Sequence, residues 1–540
     1  MTSLSEVLNS FVQTLINKGV QNVVVSPGSR NFPLIKSFIA AEKYLTCHSV
    51  TDERSAGFVG LGLAQSTKKP VVLCCTSGTA SLNYYPAIAE AYYANIPLIV
   101  ITADRPPHSI DNWEGQSIRQ ENVFTNHILK SFKTPHEEFD LNHFKLIADE
   151  AARLASREEG PVHINMPFNE PFYDHWKQQS YKRPSSEVAE KKEFLASTNL
   201  IQEDIKQANK ILWLNGADRS LSDYSYPENL VVLSDVISNK NQTIPHWESI
   251  LGAIDHTNEN YQPDLIISTG TYFVSKKLRQ FLQQAKGAKH WHLGSPKGQP
   301  DPFHTKPNFL SVKVNAILNL IQQNYAQKDY IKTWEAAKHR VKTHYENLNW
   351  KLFNEFTVSK YVHDQITPGA VLQISNSMPI RYMDYLDRSE DLLFLANRGT
   401  SGIDGCSSTA VGYSFGTYKD VYLITGDIAF FYDINAFWQH KLPDNLKIIL
   451  LNNSGGGIFE LINGPTNHLD SLPWQTTDHK RNAKAIAEHF GIDYYQASDF
   501  NSLRSCWNDF NTKKSISILE VQTDRENNKE FMRLFNTFKL

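Results

Sequence analysis

Residues 421–459 read VYLITGDIAFFYDINAFWQHKLPDNLKIILLNNSGGGIF. An apolar run from Val421 to Thr425 stops at Gly426-Asp427, and a second from Leu446 to Leu451 stops at Asn452-Asn453. The segment between them carries aromatic and aliphatic positions in a helix-like pattern. Two such runs joined by a helix form a βαβ unit with parallel strands, which puts Asp427 and Asn453 at the carboxyl edge of one sheet. Open α/β sheets bind their ligands at that edge. A carboxylate, an amide oxygen and the Gly455 carbonyl are hard oxygen donors, suited to Mg²⁺ or Ca²⁺. Mg²⁺ takes few protein ligands and fills its shell from phosphates and water. Ser454-Gly455-Gly456-Gly457 lets the backbone approach a diphosphate closely. A lone Gly-Asp is usually just a turn. The pairing of Asp427 with Asn453, 26 residues apart across one crossover, favours a ligand site.

Around this unit the same pattern repeats. Strands are expected near Val371–Ile374, Leu392–Leu395 and Ile516–Gln522, so 350–540 reads as one α/β domain. A charged and aromatic helical stretch over 326–356 leads into it. Before that lies a second block, 190–335, with apolar runs at Ile211–Leu214, Leu230–Leu233, Leu265–Ser268 and His290–Leu293. The first block, 1–180, has runs at Asn22–Ser26, Val71–Cys75, Leu98–Thr102 and Val162–Met166. The polar stretch 174–195 is the best linker candidate. The reading is an α/β protein of three doubly wound parallel-sheet domains.

Composition narrows the class. The 540 residues are 41% hydrophobic and 21% charged with a net charge of −3. That is enough apolar material for several cores, with no basic excess that would suit nucleic acid or an anionic membrane. No apolar run reaches the ~18 residues of a membrane span. The N-terminus has an amphipathic pattern rather than that of a signal peptide. Cys47, Cys74, Cys75, Cys406 and Cys506 form no CxxC and no metal spacing, and read as free thiols in a reducing compartment. A cytoplasmic protein is expected.

The first block carries its own candidates. In VVVSPGSRNFPL (23–34) a strand runs into a turn and a helix start, where backbone N–H groups, Ser29 and Arg30 can hold a carboxylate. The plain alternative is a capped helix with a surface arginine. In TDERSAGFVGLGLA (51–64) Glu53 opens a helix whose small face, Ala56, Gly57, Gly60, Gly62 and Ala64, admits close packing against another helix or chain. A first-turn glutamate is also favourable for electrostatics alone. TSGTA (76–80) is a second backbone-rich turn. TADRPP (102–107) puts Asp104 and Arg105 at the strand edge, followed by Gln116, Arg119 and Gln120 in GQSIRQ.

The order SPGSR, DERSAGFVGLGLA, TSGTA, TADRPP, GQSIRQ resembles the N-terminal, pyrimidine-binding domain of the 2-succinyl-5-enolpyruvyl-6-hydroxy-3-cyclohexene-1-carboxylate (SEPHCHC) synthases, a thiamine diphosphate (ThDP) enzyme family. ISNSMPIR (374–381), NRGTSGIDG (397–405), GDIAFFYDINA (426–436) and NNSGGGIF (452–459) are similar to the same family's C-terminal, diphosphate-binding domain. The middle third matches less well, STGTYFVSKKL (268–278) being its best fragment. The resemblance implies a transferase that joins 2-oxoglutarate to isochorismate with loss of CO₂ in menaquinone synthesis. Glu53 would hydrogen-bond the cofactor's pyrimidine. Asp427, Asn453 and the Gly455 carbonyl would hold Mg²⁺, or Mn²⁺, against the diphosphate, with Gly426 beside them. Ile403, Ile458 and Phe459 would line the apolar part. Ser29, Arg30, Arg105, Gln116, Ser377, Arg381 and Arg398 match the family's substrate contacts, with Lys276 and Lys277 from the middle domain. A homodimer, or a dimer of dimers, with active sites shared between chains is implied, with no nucleic acid and no membrane insertion.

The nearest rival is another ThDP-dependent decarboxylase or carboligase, such as an acetolactate synthase. The cluster of arginines at strand edges argues against a pyruvate-sized anion. A dinucleotide-binding dehydrogenase is disfavoured, since no GxGxxG opens a helix after a strand.

Overall fold

The computed structural model describes residues 3–171, 173, 180–184, 197–219, 221, 223–387, 391–462 and 464–540. Three sheets account for its strands, and every pairing is parallel. The first comprises β1 (Asn22–Val25), β2 (Thr46–Ser49), β3 (Val71–Cys75), β4 (Leu98–Asp104), β5 (Ser131–Lys133) and β6 (Val162–Pro167). The second comprises β7 (Ile211–Asn215), β8 (Val231–Ser234), β9 (Leu265–Thr269), β10 (Lys289–Leu293) and β11 (Asn308–Leu310). The third comprises β12 (Val371–Ile374), β13 (Leu393–Leu395), β14 (Val421–Gly426), β15 (Leu446–Asn452), β16 (Asp493–Ala497) and β17 (Ser517–Gln522). Their orders are β2-β1-β3-β4-β6-β5, β11-β10-β9-β7-β8 and β13-β12-β14-β15-β17-β16. Numbered within its own sheet, the third repeats the first.

The apolar runs became the inner strands because helices cover both faces of a parallel sheet, so β3, β4, β14 and β15 are buried along almost their whole length. Four strands carry no continuous apolar run: β2, β5, β11 and β16. Each lies at a sheet edge and is partly exposed, so burial imposes no such run on its sequence. The charged stretch before the third sheet forms the helix Asp329–Glu346. Of the expected linker, Tyr181 and Lys182 are tied to Ser37 and Gln13 of the first domain. Most of 174–195 lies outside the described residues.

The first and third domains meet helix on helix. Glu53–Thr67 crosses Cys406–Phe415 so closely that a Cβ on Gly62 would stand 2.0 Å from the Thr409 carbonyl oxygen. A Cβ on Gly412 would stand 2.0 Å from the Val59 carbonyl oxygen. The small face after Glu53 therefore splits its work. Gly62 admits the third domain of its own chain, whereas Gly57 and Gly60 face Ala87 and Leu73 of the first. One apolar cluster runs unbroken from Leu73 and Val59 through Ala410 and Val411 to Leu423 and Ile448. All five cysteines are free thiols. Among the described residues no helix is long and apolar enough to cross a membrane.

Candidate active site

The carboxyl edge of the third sheet holds a cavity of about 170 Å³. β14 and β15 are neighbours in register, Gly426 opposite Leu451, so Asp427 and Asn453 emerge side by side. Ile403, Gly426, Asp427, Asn453, Gly455, Ile458 and Phe459 all line this cavity. The Asp427 carboxylate accepts from Ile428 N (2.7 Å) and Gly455 N (2.9 Å), and His479 Nε2 stands 3.3 Å away. Burial pushes the Asp427 carboxyl up from its ordinary value, while the Gly455 amide and His479 oppose the shift. The Gly455 carbonyl accepts from Gly457 N (3.1 Å) and retains a second lone pair.

Asn453 is the informative residue. Its Nδ2 donates to Glu355 Oε1 (2.7 Å), and its buried Oδ1 has no hydrogen-bond partner. An orphaned buried amide oxygen beside a carboxylate and a free carbonyl lone pair is a donor set that fits a hard divalent cation. Glu355 was not singled out from the sequence. It is buried, accepts from Tyr382 Oη (2.7 Å), and burial lifts its carboxyl to about 7. Asn354-Glu355 reads simply as a helix cap and first turn, and Asn354 does cap that helix. Met378, Ile428 and Gln475 also line the cavity without a prior signal, since single apolar and amide residues in loops carry none.

Among the described residues, none of the first domain lines this cavity. Glu53 opens its helix behind the N-cap Asp52, which accepts from Arg54 N and Ser55 N. Burial raises the Glu53 carboxyl, the helix's own first amide lowers it, and Asp52 raises it further. Its neighbours bind the third domain of the same chain. Arg54 lies over the Tyr432 ring (4.5 Å) and donates to the Tyr432 carbonyl (2.8 Å), and Asp52 accepts from Asn435 Nδ2 (2.8 Å).

The cations fall into two groups. At the first sheet, buried Arg30 donates to the Phe168 carbonyl (2.8 Å) and Glu170 Oε1 (2.6 Å), and Arg105 stands 3.5 Å from the same Glu170 oxygen. Arg105 also donates to the Gly115 carbonyl (2.9 Å). Ser29 and Gln116 are exposed nearby in sequence, Gln116 with φ 57° against Gly78. Gln120 is the structural member of GQSIRQ: it accepts from Gly78 N and donates to the Ala103 carbonyl and Asn165 Oδ1. Arg119 pairs with exposed Asp111.

The second group belongs to the middle and third domains. Ser377, φ 78°, precedes the helix Met378–Tyr385 without a side-chain capping bond, and Arg381 one turn on donates back to its carbonyl. Arg398 donates to Asn376 Oδ1 (2.8 Å), and Asn376 Nδ2 in turn holds the Asn397 and Gly402 carbonyls. Burial works against charge on Arg398, and Asp235, Glu90 and Asp384 offset it. Glu90 of the first domain also accepts from Gly399 N, Thr400 N and Thr400 Oγ1, so it fixes the loop that carries Arg398 and Ile403. Lys277 donates to Tyr385 Oη (2.9 Å) and lies 3.8 Å from Glu248, whereas Lys276 is exposed.

Three parallel domains, with a hard-oxygen site and an apolar wall at the carboxyl edge of the third, define a ThDP enzyme. A family model described as "Thiamine pyrophosphate enzyme, N-terminal TPP binding domain" matches residues 5–128, and one described as "Middle domain of thiamine pyrophosphate" matches 221–374. The chain is 37% identical to the 2-succinyl-5-enolpyruvyl-6-hydroxy-3-cyclohexene-1-carboxylate synthase of Flavobacterium psychrophilum, over 98% of both chains. It is also 37% identical to the protein of that name from Cytophaga hutchinsonii, over 97% of both, and 31% identical to that from Bacteroides fragilis, again over 97% of both. The chain belongs to the SEPHCHC synthase family of thiamine diphosphate-dependent transferases.

Proposed function

We propose that this protein decarboxylates 2-oxoglutarate and adds the remaining four-carbon unit to isochorismate, giving SEPHCHC and CO₂ in menaquinone biosynthesis, as a cytoplasmic enzyme. The observation that carries the reading is the orphaned Asn453 Oδ1 beside Asp427 and Gly455, in a cavity walled by Ile403, Ile458 and Phe459. Asp427, Asn453 and the Gly455 carbonyl hold Mg²⁺, or Mn²⁺ in its place, against the diphosphate. ThDP, when bound, supplies the thiazolium that accepts the electrons released with CO₂. Glu53 holds a proton near the pyrimidine, a task suited to a carboxyl already raised by burial. The apolar wall keeps water from the reacting carbons. Arg381, Arg398 and Ser377 on one side, and Arg30, Arg105, Ser29 and Gln116 on the other, bind carboxylates, for which the guanidinium fork is built. Lys277 supports the first side through Tyr385, and Lys276 takes only a peripheral part. The three units act as pyrimidine-binding (1–180), central (190–335) and diphosphate-binding (350–540) domains.

Each site is completed by a second copy: Glu53 from one chain and Asp427 from the other. The absence, among the described residues, of first-domain side chains from the cavity supports this, as do exposed apolar side chains on the segments that follow inner strands: Leu82 after β3, Tyr432 and Trp438 after β14, and Ile462, Leu469 and Trp474 after β15. Titrating ThDP with Mg²⁺, then assaying CO₂ release with isochorismate present, tests the reading. Release from 2-oxoglutarate and not from pyruvate is expected. Faster turnover of pyruvate would transfer the protein to the acetolactate synthase type.

A further inference from the structure

We propose that Glu355 is the positioning residue that makes Asn453 a metal ligand, by fixing which end of its amide faces the cation. The two ends of a carboxamide have nearly the same shape, and only the oxygen can bind a metal. Something must therefore choose between them. An ionised carboxylate only accepts hydrogen bonds, so Glu355 Oε1 in that form, at 2.7 Å from the amide, holds Nδ2 inward and turns Oδ1 to the cavity. The reversed amide would set Oδ1 against a carboxylate oxygen and lose a charge-assisted bond.

Glu355 is itself held from several sides. Tyr382 Oη donates to Oε2 at 2.7 Å, and the Glu355 amide donates to Asn528 Oδ1 at 2.7 Å. Asn354 caps the helix that Glu355 opens. Gly457 leaves the amide its place: a Cβ there would stand 2.8 Å from Asn453 Nδ2. Glu355 lines the cavity wall but is committed to Tyr382 and Asn453, so it acts through Asn453 rather than on the cofactor. A ligand's outer partner of this kind typically accounts for about 10–100-fold in metal affinity.

This inference rests on the metal site proposed above. The test is a Mn²⁺ titration by electron paramagnetic resonance, on the full-length protein with ThDP present, alongside thermal unfolding without either. Glu355→Met removes both acceptors at similar volume and should weaken Mn²⁺ at least about 10-fold. The cofactor-free protein should still unfold cooperatively, at a lowered melting temperature because the Tyr382 hydroxyl and the Asn453 amide have lost their acceptor. Glu355→Gln can turn its own oxygen to Asn453 and its amide to Tyr382 Oη, and should keep Mn²⁺ affinity within about 3-fold, well short of the 10–100-fold loss. Near-wild-type Mn²⁺ affinity in Glu355→Met, or an equal loss in Glu355→Gln, would overturn the positioning role. Asp427→Ala is the control. If it also binds Mn²⁺ like the wild type, the metal site itself is misassigned.

Discussion

The first and third domains are one topology used for two tasks. Both sheets run 2-1-3-4-6-5, and the helix after the second strand of each, Glu53–Thr67 and Cys406–Phe415, packs on its counterpart through a glycine. The edges differ only in residue type. After their first strands stand Ser26-Pro27-Gly28-Ser29-Arg30 and Ser375-Asn376-Ser377, the latter with Arg381 one turn later. After their third strands stand Thr76-Ser77-Gly78 and, behind the strand's last residue Gly426, Asp427; the fourth strands end at Asp104 and Asn452, followed by Arg105 and Asn453. The third domain thus presents oxygen donors where the first presents hydroxyls, backbone and a guanidinium. A shared scaffold fixes where ligands can bind, and a few edge residues decide which ligand binds there.

The comparison can be stressed at several points. Arg398→Ala removes the third domain's loop cation and should raise the barrier measured by kcat/KM by ~2–5 kcal/mol, with a smaller loss of ThDP affinity, since its own bond goes to Asn376 on the cavity wall and not into the metal site. Equal losses in both would dissolve the distinction between substrate and cofactor edges. Asp433 lies at the seam, accepting from Ser408 N and Oγ, and burial raises its carboxyl to about 7. Because the folded value exceeds the unfolded one, stability is greatest below about pH 4 for this group and declines as pH climbs to about 7, then levels. Asp433→Asn should flatten that part of a pH–stability curve, by on the order of a few kcal/mol. Gly62→Val forces a side chain onto the Thr409 carbonyl and should destabilise by ~1–3 kcal/mol in chemical denaturation. The smallest effect is at Glu170, the chain's own carboxylate on Arg30 and Arg105. Glu170→Gln removes the negative charge beside those cations, whose bonds to the Phe168 and Gly115 carbonyls remain, so KM for the acidic substrate should fall by about 2–5-fold, or ~1 kcal/mol at most.

Much of this was legible in the sequence because the inner strands of a covered parallel sheet must be apolar along their length. Val421–Gly426 and Leu446–Asn452 announced themselves, and with them Asp427 and Asn453. Edge strands such as Thr46–Ser49 and Asp493–Ala497 did not, since half of each faces away from the core. Glu355 and Glu90 escaped for another reason. Each is a carboxylate near a helix start or on a helix face, where acidic residues are ordinary. Only the fold brings Asn453 to the first, and Gly399 and Thr400 to the second.

The central claim is that one site draws its pyrimidine contact from the first domain of one chain and its metal from the third domain of another. Glu53→Gln and Asp427→Ala chains, each inactive alone, would be mixed, dissociated and allowed to reassociate at random. Half the dimers are then mixed, each with one intact site and one doubly damaged site. Recovered activity of about a quarter of wild type is expected from symmetry alone. An inactive mixture, with subunit exchange verified by mass, would place Glu53 and Asp427 in the same chain's site and contradict the account.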